Sequence, residues 1–184
     1  MPIGCFSVVP TVVAELVNRQ SRSVLDLGIG MGFYGVAVRQ WLDSGVLPYR
    51  TLLHGVEAWD SYRNPCWSVY DHVYVGRIEE FLAASVIQYD AILLMDVLEH
   101  FDKPAGANVL ERAFERLAPG GVFLVVTPAI FETQGAVHGN EAEVHRSLWT
   151  AADMLERGFE ILSDGSLNTF GHQMLVARRE RFGS

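Results

Sequence analysis

Three acidic side chains lie where separate apolar runs end: Asp26, Glu57 and Asp96. The first of them precedes a turn, residues 28–32, that has glycine at alternate positions. Glycine reaches φ values closed to other residues and carries no Cβ, so a flat or polar ligand can lie on the backbone there. A carboxylate beside such a turn can accept hydrogen bonds from an ammonium group. The spacing therefore predicts a site for a polar ligand that carries positive charge.

The glycine spacing separates several classes of ligand. A dinucleotide fingerprint requires glycine at the first, third and sixth positions, and the sixth position counted from Gly28 is Phe33. A P-loop requires Lys followed by Ser or Thr after its last glycine, and the run Tyr34-Gly35-Val36 supplies neither. Both a dinucleotide site and a phosphate cradle are therefore disfavoured.

Alternating strands and helices must bring the acids together. The apolar pattern predicts a strand over Ser23–Leu27, a helix over Tyr34–Leu42 and a strand over Thr51–Val56. A parallel unit of this kind has a right-handed crossover, which places the ends of its two strands side by side. Glu57 and Gly28 can then contact the same ligand.

The remaining elements continue this alternation until the last part of the chain. Further helices are predicted from Thr11 and over Glu80–Ser85, Gly106–Leu117 and Trp149–Arg157; further strands are predicted over Val73–Val75, Tyr89–Asp96, Val122–Pro128, Glu160–Leu162 and Gln173–Ala177. A connection is predicted over Asp164–Phe170, so the last two strands form an antiparallel hairpin. Ligands of open α/β sheets bind outside the carboxyl ends of the strands, where Asp96 would join the other two acids.

The acid followed by alternate glycines, the run Asp96-Val97-Leu98-Glu99-His100-Phe101 and the turn Pro119-Gly120-Gly121 together resemble the class I S-adenosylmethionine-dependent methyltransferases. The resemblance covers nearly the whole chain. It implies one methyltransferase domain over residues 1–184. The implied fold is a Rossmann-like, doubly wound, mostly parallel seven-stranded sheet with an antiparallel closing strand.

The resemblance also implies the cofactor S-adenosyl-L-methionine, with S-adenosyl-L-homocysteine as product. Glu57 would accept hydrogen bonds from the ribose hydroxyls, and adenine would lie near Ile78. Arg77 departs from the family, which often has an acidic residue there, so adenine binding would depend on the backbone and Ile78. The residues expected to contact the cofactor are Asp26, Gly28, Gly30, Gly32, Glu57, Ala58, Arg77, Ile78, Asp96 and Val97.

Methyl transfer from a sulfonium is an in-line displacement, so the enzyme gains chiefly from alignment and exclusion of water. A hydroxyl acceptor benefits from a base, and histidine suits neutral pH. His145, in a long polar loop over residues 129–148, and His100 are the candidates, although each can instead brace its own segment. We expect an O-methyltransferase acting on a small molecule or a terminal group, with N-methyl transfer as the alternative.

Asp96, Glu99, His100 and His145 resemble the two-acid, two-histidine metal set of small-RNA 3′-terminal 2′-O-methyltransferases. Carboxylate and imidazole ligands suit Mg²⁺, Mn²⁺ or another divalent ion. Against this, Asp96 stands where those enzymes have glutamate, and the chain is acidic. A metal-assisted enzyme is therefore an alternative, and the metal set is left open.

The composition excludes several partners. A net charge of −8 argues against general nucleic-acid binding, which needs Lys and Arg. No apolar run fits a signal peptide or membrane span, and two distant cysteines fit a reducing cytoplasm. We expect a cytoplasmic protein with a small-molecule substrate and no membrane partner. The oligomeric state, a nicotinamide oxidoreductase and a noncatalytic nucleotide-binding module stay open.

Overall fold

A central seven-stranded sheet dominates the computed structural model, which describes residues 5–169 and 171–183. The strands are β1 Ser23–Leu27, β2 Leu52–Glu57, β3 His72–Val75, β4 Tyr89–Met95, β5 Leu117–Pro128, β6 Glu160–Thr169 and β7 His172–Glu180. The helices are α1 Val9–Asn18, α2 Phe33–Leu42, α3 Ile78–Ala84, α4 Lys103–Glu115 and α5 Ala151–Glu156. Short 3-10 turns cover Phe6–Val8, Asp60–Tyr62, Pro65–Val69, Leu98–His100 and Glu141–Glu143.

The strand order across the sheet is β3-β2-β1-β4-β5-β7-β6. Strands β1 to β5 pair in parallel, whereas β7 runs antiparallel to both β5 and β6. The order reverses between β1 and β4, and this reversal creates a crevice at the carboxyl ends of those strands. The Rossmann-like, mostly parallel sheet with an antiparallel closing strand is confirmed.

The central strands are mostly apolar because helices cover both faces of the sheet. Val24 and Leu93 belong to the buried cluster that contains side chains of α1 and α2. Leu25 and Ile92 belong to the opposite cluster, which contains side chains of α3 and α4. Neighbouring residues of one strand therefore enter different cores, and only the strand ends are open to a ligand.

Several predicted boundaries are wrong, and local hydrogen bonds explain two of the helix shifts. Helix α4 begins before Gly106 because the Asp102 carboxylate accepts a hydrogen bond from the N–H of Ala105 and caps the helix at Lys103. Helix α5 begins after Trp149 because Thr150 and Asp153 form a reciprocal capping box. The strand β1 has the predicted bounds Ser23–Leu27.

The predicted connection after Leu162 is also wrong in the part that the structure describes. Strand β6 continues to Thr169, and register shifts between Ile161 and Ser163 and between Asp164 and Leu167 accommodate the polar residues that suggested a loop. Phe170, the last residue of that predicted connection, lies outside the described residues. Over residues 5–169 and 171–183, no helix combines the length and the apolar character that a membrane crossing requires.

Candidate active site

A cavity of about 400 Å³ opens at the carboxyl ends of the parallel strands. Its wall contains Gly28 and Gly30 after β1, Glu57 at the end of β2 and Asp96 after β4. His145, from the segment between β5 and α5, closes the other side. The predicted residues that line it are Gly28, Gly30, Glu57, Ala58, Arg77, Ile78, Asp96, Val97, His100 and His145.

The glycine turn brings the backbone to the cavity wall. Gly28 and Gly30 have φ values of 82° and 50°, in the left-handed region that favours glycine. The N–H groups of Gly28 and Ile29 both donate to the carbonyl of Val56, at 2.8 and 3.1 Å, which ties the turn to the end of β2. A Cβ on Gly28 would lie 2.4 Å from Cγ2 of Val97, so this turn needs glycine.

Glu57 is the acid that the main chain holds most directly. Its Oε2 accepts from the N–H of Gly30 at 2.8 Å, and its Oε1 accepts from the N–H of Trp59 at 2.9 Å. Burial raises the pKa of Glu57, and these backbone hydrogen bonds oppose the shift. The backbone of Ala58 also donates to this carboxylate. A carboxylate offers about four acceptor positions, so Glu57 can still accept from a hydroxyl group in the cavity.

Asp26 and Gly32 were predicted to contact the ligand, but the structure does not place either on the cavity wall. Asp26 is 1% exposed, and its Oδ2 accepts a hydrogen bond from the Tyr70 hydroxyl at 2.7 Å. Burial raises the pKa of Asp26 to about 7. Gly32 faces Trp67, whose Cδ1 would lie 3.2 Å from an added Cβ. Both residues pack against aromatic side chains, Asp26 against Tyr70 and Gly32 against Trp67. Their direct contact with a ligand stays a prediction.

The wall near β3 consists of Ala58, Arg77 and Ile78. The Arg77 guanidinium donates to the carboxylate of Glu79 at 2.7 Å in an exposed ion pair. Arg77 directly precedes α3, whose first residue is Ile78. A flat ring at this corner would therefore meet an apolar side chain and an arginine that already has a partner.

Asp96 is held in an unusual conformation at the end of β4. Its φ of 54° lies in the left-handed region, which is uncommon for residues other than glycine and clusters at functional sites. Its Oδ1 is buried and has no hydrogen-bond partner among the residues that the structure describes. Burial raises the pKa of Asp96 to about 6, and a hydrogen bond from the backbone of Cys5 opposes the shift.

Glu99 is a second buried carboxyl group beside Asp96. Its Oε2 accepts from the Thr127 hydroxyl at 3.0 Å, and the side chain is 4% exposed. Burial and the charge of Asp96 raise the pKa of Glu99 to about 8. The N–H groups of Arg146 and Ser147 donate to the Glu99 carbonyl at 2.8 and 3.1 Å, which fixes the segment that carries His145.

His100 and His145 face each other with ring centroids 5.0 Å apart. The Nδ1 of His145 lies 2.6 Å from the carbonyl of Glu132, so Nδ1 carries the proton and Nε2 is left as an acceptor. Burial and the neighbouring His145 lower the pKa of His100 to about 4. One ligand atom each from Glu99, His100 and His145 lie within 4.8 Å of one another. Asp96, the fourth predicted member, is not part of this group.

Sequence reasoning missed a polar network that forms the outer wall. The Tyr62 hydroxyl donates to Oε1 of Glu143 at 3.0 Å and lies 3.3 Å from Nδ2 of Asn140. The side-chain amide of Gln134 donates to the Glu143 carbonyl at 2.7 Å. Tyr34 also lines the cavity, whereas the sequence pattern predicted it only as the first residue of a helix. The polar composition of residues 129–148 was the one available signal for the outer wall.

Comparison with solved structures shows the same fold in several methyltransferases. An O-methyltransferase family protein from Burkholderia thailandensis has a TM-score of 0.66 and 16% identity, over 96% of this chain and 56% of that one. A SAM-dependent methyltransferase from Archaeoglobus fulgidus has a TM-score of 0.63 and 15% identity, over 94% of both chains. The chain thus spans little more than half the length of the first relative.

A third similar structure is 1,6-didemethyltoxoflavin-N1-methyltransferase from Burkholderia thailandensis, solved with 1,6-didemethyltoxoflavin and S-adenosylhomocysteine bound. It has a TM-score of 0.61 and 18% identity, over 95% of this chain and 76% of that one. A search of curated sequences gives no significant match. The sequence model of the methyltransferase domain matches residues 6–164. This chain belongs to the methyltransferase domain family.

Proposed function

We propose that this enzyme transfers the methyl group of S-adenosyl-L-methionine to a hydroxyl group of a small molecule or a terminal group. One observation carries the proposal. A single cavity is lined by Glu57 and the glycine turn at one end and at the other by His145, whose Nδ1 is hydrogen-bonded to the Glu132 carbonyl. The similar N1-methyltransferase with bound S-adenosylhomocysteine supports the choice of cofactor.

The order of the wall residues sets the direction of the cofactor. Adenine lies against Ile78, a ribose hydroxyl donates to the remaining acceptor position of Glu57, and the cofactor then crosses the glycine turn toward Asp96. This direction points the sulfonium methyl group at His100 and His145. The acceptor enters past the polar network of the outer wall.

Methyl transfer to a hydroxyl group needs one proton acceptor, at the end of the cavity where His100 and His145 lie. The acceptor oxygen attacks the methyl carbon while the carbon–sulfur bond breaks, and the electron pair of that bond stays on sulfur, giving S-adenosylhomocysteine. Nε2 of His145 takes the hydroxyl proton, because Nδ1 is already committed to the Glu132 carbonyl. The low pKa of His100 keeps that ring neutral beside His145.

The proposal is tested with methyl-labelled S-adenosylmethionine and two fractions of a cell extract, small molecules and macromolecules. We expect label in the small-molecule fraction, and mass spectrometry should locate it on oxygen. Label on nitrogen would show that the acceptor is an amine and would contradict the assignment to a hydroxyl group. Label only in macromolecules, or no release of S-adenosylhomocysteine with either fraction, would contradict the proposal.

Metal-assisted transfer is a second candidate, and the grouping of Glu99, His100 and His145 favours it. Metal-ligating histidines usually donate their second ring N–H to a carbonyl, as His145 does to Glu132, and ligating carboxylates are hydrogen-bonded in turn, as Glu99 is by Thr127. These residues therefore fit a divalent ion. The ion would lower the pKa of an acceptor hydroxyl and orient it.

Cobalt(II) absorption decides between the two candidates without an activity assay. If the group binds a metal, Co²⁺ should give visible bands that saturate at one ion per chain and vanish in the Glu99→Gln variant. If Co²⁺ gives no bands with the unaltered protein, the metal-assisted candidate is rejected and His145 stays the base.

A further inference from the structure

Arg146 places a positive charge at the acceptor end of the cavity. It lines the cavity directly after His145, and its side chain is exposed. Arg77, at the adenine end of the same wall, forms an ion pair with Glu79. Within residues 5–169 and 171–183, Arg146 forms no ion pair, and its side-chain hydrogen bonds go to carbonyl groups alone. This charge is therefore open to a ligand that enters from solvent.

Three main-chain carbonyl groups hold the guanidinium group of Arg146 in place. Its Nη1 donates to the carbonyls of His100 and Val144 at 2.8 and 3.0 Å, and its Nη2 donates to the carbonyl of Glu141 at 2.9 Å. The backbone N–H of Arg146 also donates to the Glu99 carbonyl at 2.8 Å, so the main chain is fixed as well. A side chain that is already held loses little further freedom when it binds a ligand.

The guanidinium group has donors left for a ligand. Nη1 uses both of its N–H groups on carbonyls, and Nη2 uses one of its pair. The other N–H of Nη2 and the N–H of Nε have no hydrogen-bond partner in the part of the chain that the structure describes. Nε and Nη2 lie on one edge of the planar guanidinium group, and such an edge pairs with two oxygens of a carboxylate or a phosphate. The remaining donors therefore suit an oxyanion.

The acidic groups around Arg146 have other partners. The Asp102 carboxylate caps α4, and Glu143 accepts a hydrogen bond from the Tyr62 hydroxyl. Burial, and then the charge of a neighbouring acid, raise the pKa of Glu99 to about 8, so most of this carboxyl group is protonated at neutral pH. None of these three acids forms an ion pair with Arg146 in the described residues, and the positive charge is left for a ligand.

The position of Arg146 relates an oxyanion to the reacting group. His145 directly precedes Arg146, and the guanidinium group donates to the carbonyl of His100, whose ring faces that of His145. All three residues line the same cavity. One small molecule can therefore have an oxyanion at Arg146 and a hydroxyl group at Nε2 of His145.

We propose that Arg146 binds an oxyanion of the methyl acceptor, a carboxylate or a phosphate monoester, and that the acceptor is an anionic small molecule with a hydroxyl group. The proposal rests on the proposed function, because it concerns the acceptor of the same methyl transfer. It makes Arg146 the residue that selects the acceptor, whereas His145 takes the proton. An uncharged molecule with the same hydroxyl group would leave the cation without a partner.

The first test separates possible acceptors by charge and uses the unaltered protein. The small-molecule fraction of a cell extract is passed over an anion-exchange resin at neutral pH, and the retained and unretained molecules are assayed separately with methyl-labelled S-adenosylmethionine. We expect most of the label in the retained molecules. Most of the label in the unretained molecules would overturn the proposal and leave the methyl transfer intact. If neither sample released S-adenosylhomocysteine, the proposed function itself would fail.

Two treatments of the retained molecules identify the oxyanion. Alkaline phosphatase should lower the labelling rate about ten- to a hundredfold if the group is a phosphate monoester, because charged hydrogen bonds to the acceptor are lost. Amidation with a carbodiimide and methylamine, without any effect of phosphatase, should lower it by the same factor if the group is a carboxylate. Labelling that survives both treatments would overturn the proposal.

The second test changes the residue, with the retained molecules as acceptor. Arg146→Gln should raise the apparent KM about ten- to a hundredfold and leave the affinity for S-adenosylhomocysteine unchanged. Arg146→Lys keeps the charge but not the planar pair of donors, so its KM should be intermediate. Arg112→Gln makes the same change of charge on an exposed arginine of α4 outside the cavity and should leave KM unchanged.

A purely bracing role of Arg146 gives a different result. If Arg146 binds the oxyanion, the Arg146→Gln variant should label the treated and untreated acceptors at nearly equal rates, whereas the unaltered protein prefers the untreated one. If Arg146 only braces its segment, the variant should slow both reactions by the same factor and keep that preference, which would overturn the proposal. Thermal unfolding of each variant confirms that the protein is folded before rates are compared.

Discussion

The two ends of the cavity are built in different ways. At the β2 end, the Glu57 carboxylate is held by the N–H groups of Gly30 and Trp59, both supplied by the main chain. At the β4 end, Oδ1 of Asp96 has no hydrogen-bond partner within residues 5–169 and 171–183, and burial and the charge of Asp96 raise the pKa of Glu99 to about 8. The first end is complete without a ligand. At the second end, we expect bound cofactor and acceptor to complete the hydrogen bonds and to balance the charges of these side chains.

The largest effect is expected at the second end. His145→Ala should lower kcat about a hundred- to ten-thousandfold, the usual cost of losing a general base, with the affinity for S-adenosylhomocysteine nearly unchanged. Initial rates of S-adenosylhomocysteine release measure kcat, and calorimetry measures the affinity. His72→Ala removes an exposed histidine far from the cavity and serves as the control.

The same variant separates the two roles proposed for this ring. Recovery of turnover in excess Mg²⁺ or Mn²⁺ would favour a metal ligand over a base. Full activity of His145→Ala on the true acceptor, with and without added metal, would show that His145 is neither a base nor a metal ligand. It would also contradict the assignment of the chemical step to the second end of the cavity.

The next effect concerns the first end. Glu57→Ala should weaken S-adenosylhomocysteine about ten- to a hundredfold, because charged hydrogen bonds to the ribose hydroxyls are lost. Isothermal titration gives the dissociation constants. Glu111→Ala removes an exposed acid from α4, outside the cavity, and keeps the net charge equal to that of the first variant. Unchanged affinity in Glu57→Ala would exclude the ribose assignment.

The smallest effect concerns Asp26, the strand-end acid that belongs to neither end of the cavity. Its pKa is raised from 3.8 to about 7 in the folded protein, so the native state holds a proton that the unfolded chain releases. The stabilising contribution of this proton is complete below pH 3.8 and is lost as the pH rises through 7. Asp26→Asn should therefore raise the free energy of unfolding at pH 8 by roughly 1 kcal/mol, after subtraction of the weaker hydrogen bond from Tyr70.

Urea unfolding of both proteins at pH 4 and pH 8 measures this difference. The gain should be small at pH 4 and larger at pH 8. A loss of stability at pH 8, or a large loss of S-adenosylhomocysteine affinity in Asp26→Asn, would instead place the ionised carboxylate in contact with the ligand.

The contrast between the two ends also explains what the sequence could predict. The apolar run Ser23–Leu27 and its glycine turn are contiguous, so a short stretch of sequence determines both their conformation and their position. Glu57 is the last residue of the next strand, β2, so the strand pattern alone places it at the edge of the sheet where the cavity lies. Local patterns therefore predicted the sheet, the turn and the first end of the site.

The second end depends on contacts between residues that are far apart in the sequence. Glu143 is buried and accepts a hydrogen bond from Tyr62, which is 81 residues away in the sequence. No periodicity or motif marks that pair. Likewise, Tyr34 begins a helix in the apolar pattern, and only the folded structure shows that this residue lines the cavity and that its buried hydroxyl has no hydrogen-bond partner in the described part of the chain. Side-chain networks of this kind cannot be derived from spacing alone.

The central claim is that the cavity binds S-adenosylmethionine across the glycine turn, and isothermal titration of the unaltered protein tests it most directly. The ligands are S-adenosylhomocysteine and, separately, NADH. We predict saturable binding of S-adenosylhomocysteine at one site per chain and no binding of NADH, since Phe33 stands where a dinucleotide turn needs glycine. Binding of NADH without S-adenosylhomocysteine, or of neither ligand, would contradict the account.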